Sequence, residues 1–136
     1  MHSSSYRGRV PPTQSINAAA RACGLTVHTL RWYERIGLLD RVPRGPDGRR
    51  RFGEAELSWL TFLVRLRSTG MPVADMVRYA ELVRAGEHTE PERARMLTDH
   101  RERVRERIAE QQAHLAALDI KIDTYRRTAR RLEETA

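Results

Sequence analysis

Between residues 26 and 37, the apolar positions follow the period of an α-helix. They recur at Val27, Leu30, Ile36 and, between the last two, at either Tyr33 or Glu34. The remaining surface is polar and cationic, with Thr26, His28, Thr29, Arg31 and Arg35. The hydroxyl of Thr26 can cap the first turn, and Gly37 can end the last one. The pattern predicts a short helix with a core face and a cationic, hydrogen-bonding face.

A second short helix is predicted immediately before it. Ser15 is a suitable N-cap, Gly24 is a suitable stop, and the apolar stripe between them is made of small side chains. The stripe consists of Ile16, Ala19, Ala20 and Cys23. Two helices joined by a short turn that contains glycine form the helix-turn-helix pattern, whose second helix enters the major groove of DNA.

A basic ribbon follows the second helix. Residues 40–52 contain two prolines, two glycines and the consecutive arginines Arg49, Arg50 and Arg51. Proline and glycine at this density indicate a tight turn. We therefore expect a two-stranded wing anchored by Val42 and Phe52.

Two further helices can complete one small core. The third is predicted to begin at Glu54 and end at Gly70, and the fourth to begin at Pro72 and end at Gly86. The inward positions of the third are Leu57, Leu60 or Thr61, Val64 and Leu66; those of the fourth are Val73, Met76, Val77, Tyr79, Ala80 and Val83. At this spacing, Trp59 and Phe62 are expected in the core rather than stacked on bases.

The last segment carries a heptad repeat. From Thr89 to Glu133 there is no Gly and only one Pro, Pro91, which lies at the predicted start of the helix. Seam positions are spaced four and three residues apart, at Leu97, Arg101, Val104, Ile108, Gln111, Leu115, Leu118, Ile122, Tyr125, Ala129 and Leu132. A single helix would leave this stripe in water, so the pattern predicts a coiled-coil dimer. Spacing alone does not decide between parallel and antiparallel pairing.

The predicted domains are an N-terminal arm (1–13), a DNA-binding domain (14–86) and a dimerisation helix (87–136).

Charge is distributed unevenly along the chain. The net charge is +7, and residues 1–53 hold ten arginines against three acidic residues, whereas the rest of the chain is balanced. A positive field confined to one region favours an anionic partner there.

The single cysteine, Cys23, excludes a disulfide within the chain and is expected as a small buried side chain, with a redox sensor as the alternative. No apolar stretch approaches the ~18 residues that span a membrane, which predicts a cytoplasmic protein without a membrane partner.

Several motifs occur together in the first 70 residues. They are Ile16-x-x-Ala19-Ala20, Gly24-Leu25-Thr26, Thr29-Leu30-Arg31-Trp32-Tyr33-Glu34-Arg35, Gly37-Leu38-Leu39, Arg44, Gly48-Arg49-Arg50-Arg51-Phe52 and Leu66-Arg67-x-x-Gly70. This combination resembles the MerR family of bacterial transcription regulators. The fold class it implies is mainly α, a winged helix-turn-helix domain followed by a long C-terminal coiled-coil helix.

The resemblance also implies a mode of action and a set of contacts. Two protomers, paired through an antiparallel coiled coil, would bind a pseudo-palindromic operator in double-stranded promoter DNA and distort the spacer so that RNA polymerase engages both promoter elements. The implied DNA contacts are Thr26, His28, Arg31, Tyr33, Arg44, Gly48, Arg49, Arg50, Arg51 and Arg67. Two departures affect the wing: Arg49 stands where the family usually has Tyr, and Phe52 replaces the later Tyr.

Some alternatives stay open at this point. Arg31 and Arg50 can instead form structural or solvated ion pairs, and His28 can contact a base, contact a phosphate or simply be exposed. The cysteines of the metal-sensing members are absent, so no metal or other cofactor is expected, and no catalytic cluster is apparent, so the chain is not expected to be an enzyme. An unidentified small effector can lodge near Tyr79, Met96 and Tyr125, although these residues also suit plain packing. The competing function is a coiled-coil interaction module or a nonspecific nucleoid-type DNA binder.

Overall fold

The computed structural model describes residues 12–136 and divides the chain into two compact units, Met1–Ala94 and Arg95–Ala136. The predicted N-terminal arm lies outside the described residues, apart from Pro12 and Thr13.

The helix-turn-helix is formed by α1 (Ile16–Cys23) and α2 (Val27–Arg35). The Ser15 hydroxyl accepts a hydrogen bond from the Ala18 amide at 3.3 Å and caps α1. Gly24 ends α1 at φ 71°, a left-handed conformation that glycine adopts without steric cost. The two predicted helices and the glycine turn are therefore confirmed.

Helices α3 (Glu54–Ser68) and α4 (Val73–Ala85) complete the first unit. The buried positions of α3 are Trp59, Leu60, Leu63 and Leu66, and those of α4 are Met76, Tyr79, Ala80 and Leu82. Leu63 and Leu82 were missed, whereas the predicted Leu57, Val64, Val73, Val77 and Val83 are half-buried. Both helices carry more apolar residues than one face holds, so the periodicity did not identify which of them point inward.

The wing is a hairpin without regular strands. Within the described part of the chain, pairing is limited to two isolated antiparallel bridges, Arg44 with Arg50 and Gln14 with Phe52. The turn is closed by the Gly45 amide, which donates to the Arg49 carbonyl at 2.7 Å. Two prolines in the loop lack the amide hydrogens that a strand ladder needs, which explains why the predicted strands do not form.

A short junction connects α4 to the terminal helix. A 3₁₀ turn (Glu87–Thr89) follows Gly86, and the buried Thr89 hydroxyl lies 2.6 Å from the Leu82 carbonyl and accepts from Arg93 Nε at 3.0 Å. These bonds and an ion pair of 3.1 Å between Arg78 and Glu92 tie the first residues of the terminal helix to α4. These residues belong to the first compact unit, which ends at Ala94.

The second unit is part of one long helix, α5 (Glu90–Thr135, 46 residues). At ~1.5 Å per residue, α5 is roughly 70 Å long. Its large apolar seam residues from the middle onward are exposed, namely Ile108, Leu115, Leu118, Ile122, Tyr125 and Leu132. Among the described helices, none combines the length and apolar character needed to cross a membrane.

Candidate nucleic-acid interface

The exposed face of α2 carries polar side chains from its first turn onward. Thr26 caps the helix by accepting from the Thr29 amide at 3.0 Å, which fixes the first turn. Thr26, His28 and Arg31 are all exposed. Residues three apart on a helix lie on the same face, so His28 and Arg31 present imidazole and guanidinium groups side by side.

A cleft of about 370 Å³ lies between the start of α1, helix α2 and the wing. It is lined by Ser15, Ile16, Asn17, Arg31, Glu34, Arg44, Asp47, Gly48, Arg49, Arg50 and Arg51. The lining includes six of the ten predicted DNA contacts, and its five arginines outnumber its two acids. Asn17, at the start of α1, also lines the cleft and was not among the predicted contacts, because nothing in the sequence distinguishes it from a solvated helix residue.

The wing arginines do not all have the same surroundings. Arg49 is exposed, and its amide rather than its side chain is used to hold the turn, donating to the Asp47 carboxylate at 3.0 Å. Arg44 is also exposed, and its Nη1 donates to the Gly48 carbonyl at 2.7 Å. Arg51 is half-buried and donates to the Thr13 hydroxyl at 3.1 Å. Arg44 and Arg49 therefore offer cationic surface at the tip, whereas Arg51 is partly used internally.

Arg50 is the wing arginine that is bonded to α2. Its side chain is 11% exposed, and its Nε donates to Glu34 Oε2 at 3.2 Å. Nη1 of the same guanidinium donates to the Val42 carbonyl at 2.8 Å. For this residue the geometry matches the structural ion pair, which was the alternative to a DNA contact.

Tyr33 and Arg67 also differ in accessibility. Tyr33 is 2% exposed and packs in the core, so the predicted phosphate contact has almost no surface in the free protein. Burial raises the pKa of Tyr33, and the positive charge of Arg67 opposes that shift in part. Arg67 is exposed and stays a candidate contact. Trp32 was not predicted as a surface residue, yet it is 37% exposed on α2.

Within residues 12–136, no group of three or more His, Cys, Asp or Glu side chains is arranged to hold a metal ion. Cys23 is a half-buried thiol. Tyr79 is buried and stacks on Trp59 with ring centroids 6.2 Å apart, which accords with its reading as a packing residue.

The chain is similar to known regulators over most of its length. The family model described as MerR HTH family regulatory protein matches residues 14–82, and the model described as MerR, DNA binding matches residues 57–119. An uncharacterized HTH-type transcriptional regulator of Haemophilus influenzae is 36% identical over 115 residues, which is 85% of each chain. The HTH-type transcriptional regulator AdhR of Bacillus subtilis is 34% identical over 66% of this chain and 64% of its own length.

Solved structures show the same fold. HiNmlR, described as a MerR family regulator lacking the sensor domain and bound to promoter DNA, is 35% identical with a TM-score of 0.79, covering 85% of this chain and 92% of its own. A putative MerR family transcriptional regulator of Listeria monocytogenes is 38% identical with a TM-score of 0.77. The match covers 82% of this chain and 85% of the other. The chain belongs to the MerR family of transcriptional regulators and carries that family's helix-turn-helix DNA-binding domain.

Proposed function

We propose that a homodimer of this chain binds a pseudo-palindromic operator in promoter DNA. In this proposal, α2 enters the major groove and the wing follows the adjacent backbone. The dimer then distorts the promoter spacer so that RNA polymerase engages both promoter elements. The observation that carries the proposal is the arginine-lined cleft, in which Arg31 of α2 and Arg44 and Arg49 of the wing are brought together.

The chemistry of this cleft suits a phosphate backbone. Guanidinium groups bind phosphate oxygens bidentately and also read the O6 and N7 edge of guanine. Exposed Arg31 lies on the face of α2 that also carries His28, so base and phosphate contacts can be made by one helix. The relative HiNmlR, which was crystallised bound to promoter DNA, supports the same use of the fold here.

Dimerisation is supported by the exposed seam of α5. Six large apolar side chains lie at heptad positions and are 44–62% exposed in the single chain. Burying each contributes about 1.5–3 kcal/mol, which together is comparable with or larger than the ~4–15 kcal/mol lost on association. We propose antiparallel pairing, as in the family. A symmetric dimer would place two copies of α2 on two half-sites of one duplex.

Competition binding tests sequence specificity. A preferred duplex, selected from a random library, is expected to bind roughly 10³-fold or more tightly than random duplex at the same salt concentration. Near-equal binding of the two duplexes would instead favour the nonspecific nucleoid-type binder.

Transcription in vitro tests the distortion. Activation should be seen on a promoter whose spacer is longer than polymerase tolerates, and it should disappear when the spacer is shortened to the length that polymerase accepts unaided. Equal activation of both promoters would point to recruitment of polymerase instead.

A further inference from the structure

Arg50 connects the wing to α2, the helix proposed to enter the major groove and called the recognition helix below, and to the turn that follows it. In addition to its bonds to Glu34 of α2 and the Val42 carbonyl, its Nη2 lies 3.6 Å from Asp40 Oδ1. Three nitrogens of one guanidinium are thus directed at groups of the protein itself. Because the side chain is only 11% exposed, a DNA phosphate has little access to its remaining N–H donors.

Arg84 approaches the same turn from α4. Its Nη1 donates to the Gly37 carbonyl at 3.0 Å and lies 3.8 Å from Asp40 Oδ2. The Asp40 carboxylate is therefore shared, with one oxygen toward Arg50 and the other toward Arg84. The four side chains form a series of alternating charges, in the order Glu34, Arg50, Asp40 and Arg84. The series connects α2, the wing, the turn after α2 and α4.

Side chains make the contacts between the wing and α2. The wing has no strand ladder. Its main-chain bonds close the turn and pair Phe52 with Gln14, ahead of α1, but none of them joins the wing to α2. Arg50 connects the wing to α2 through its ion pair with Glu34. Its side chain is only 11% exposed, and solvent screens a partly buried ion pair less than one at the surface. Glu34 and Asp40, at 34% and 45% exposure, form its outer edge.

We propose that Glu34, Asp40, Arg50 and Arg84 are positioning residues that set the angle between α2 and the wing required by DNA, without contacting DNA themselves. This inference rests on the proposed function. According to this inference, Glu34 and Asp40 strengthen the binding of DNA, although their negative charges by themselves would weaken it. Simple electrostatics would have an acid beside the DNA-binding cleft repel phosphates.

The sign of the effect of removing each acid therefore tests the inference. Glu34→Gln and Asp40→Asn each remove one negative charge and keep the side-chain shape. If the network positions the wing, each should weaken operator binding by ~10-fold, because residues in one network couple on this scale. Glu54→Gln removes an exposed acid at the start of α3 and should bind as well as the unaltered protein or slightly more tightly.

A double-mutant cycle and amide exchange complete the test. Glu34→Gln added to Arg50→Gln should cause little further loss, and Arg50→Lys should recover part of the affinity by keeping the charge. In Glu34→Gln the wing amides of Gly45 and Arg51 should exchange faster, while the melting temperature stays well above that of the assay. An acid variant that binds as tightly as the unaltered protein, or more tightly, would overturn the inference. Failure of the unaltered protein to prefer an operator would instead overturn the proposed function.

Discussion

The indole Nε1 of Trp59 donates a hydrogen bond of 2.8 Å to the main-chain carbonyl of Leu38. Both residues are buried, at 6% and 1% exposure. Trp59 belongs to α3, and Leu38 lies three residues after α2 ends, so the bond holds the exit of the recognition helix against the core. The same indole stacks on Tyr79, and the guanidinium of Arg41 lies 5.1 Å from its ring centroid.

Replacing Trp59 should destabilise the fold. Trp59→Phe leaves the buried Leu38 carbonyl without its donor, and we expect a loss of about 1–3 kcal/mol in the free energy of unfolding. Urea denaturation at fixed protein concentration measures this loss. Trp32→Phe is the matched control, since Trp32 is partly exposed and should change the stability by less than ~0.5 kcal/mol. Equal stabilities of the two variants would mean that the hydrogen bond to Leu38 contributes nothing.

Arg31 is the recognition-helix residue for which we expect the largest loss of DNA affinity. Arg31→Ala should weaken operator binding by about 1–3 kcal/mol if the guanidinium reads a base. If it holds a phosphate, binding to all sequences should weaken, and the slope of log K against log salt should fall in magnitude by ~0.9. Fluorescence anisotropy over a range of salt concentrations separates the two cases. Arg126→Ala, on exposed α5, should leave both the affinity and the slope unchanged.

Dimerisation through the seam of α5 can be tested with a control substitution on the same helix. Leu115→Asp or Leu118→Asp puts a charge in the proposed dimer contact and should yield monomers in sedimentation equilibrium. Ile120 is 69% exposed but lies outside the four-three spacing of the seam. Ile120→Asp should therefore remain dimeric. A monomeric Ile120→Asp, or a dimeric Leu118→Asp, would show that the paired face has been misassigned.

Tyr33 should make stability depend on alkaline pH. Its pKa is raised by burial, so the folded protein keeps the phenolic proton at pH values where the unfolded chain, with a tyrosine pKa of about 10, has lost it. The unfolded state then binds fewer protons, so stability is fully present below about pH 10 and falls as pH rises further. Urea denaturation of Tyr33→Phe should show a smaller fall in the free energy of unfolding above about pH 10. An equal fall in Tyr33→Phe and in the unaltered protein would contradict this assignment.

Local signals in the sequence were sufficient for the helices and their caps. Ser15 and Gly24 act within a few residues of their own positions, so their roles could be inferred without knowing the fold. The partners of Arg50 could not be inferred in this way. Glu34 lies 16 residues earlier in the chain, and the two meet only because the wing folds back toward α2. A run of three arginines looks uniformly cationic in sequence. In the structure Arg49 is exposed, whereas Arg50 is half-buried and paired with Glu34.

The core choice between Tyr33 and Glu34 shows the same limit. Both positions fit helical spacing, and only the packing of α2 decides that the phenol is buried while the carboxylate lies half-exposed beside Arg50. The wing strands failed for a different reason. Hairpin formation follows from the turn residues, but a ladder also needs amide hydrogens that prolines do not supply.

The apolar stripe on α5 is exposed in the single chain. If association covers that stripe, the melting temperature rises with protein concentration by mass action. Newly synthesised chains that have not yet dimerised would then be the most susceptible to proteolysis. Copy number in the cell would then set how long a regulator molecule survives, as well as how often its operator is occupied.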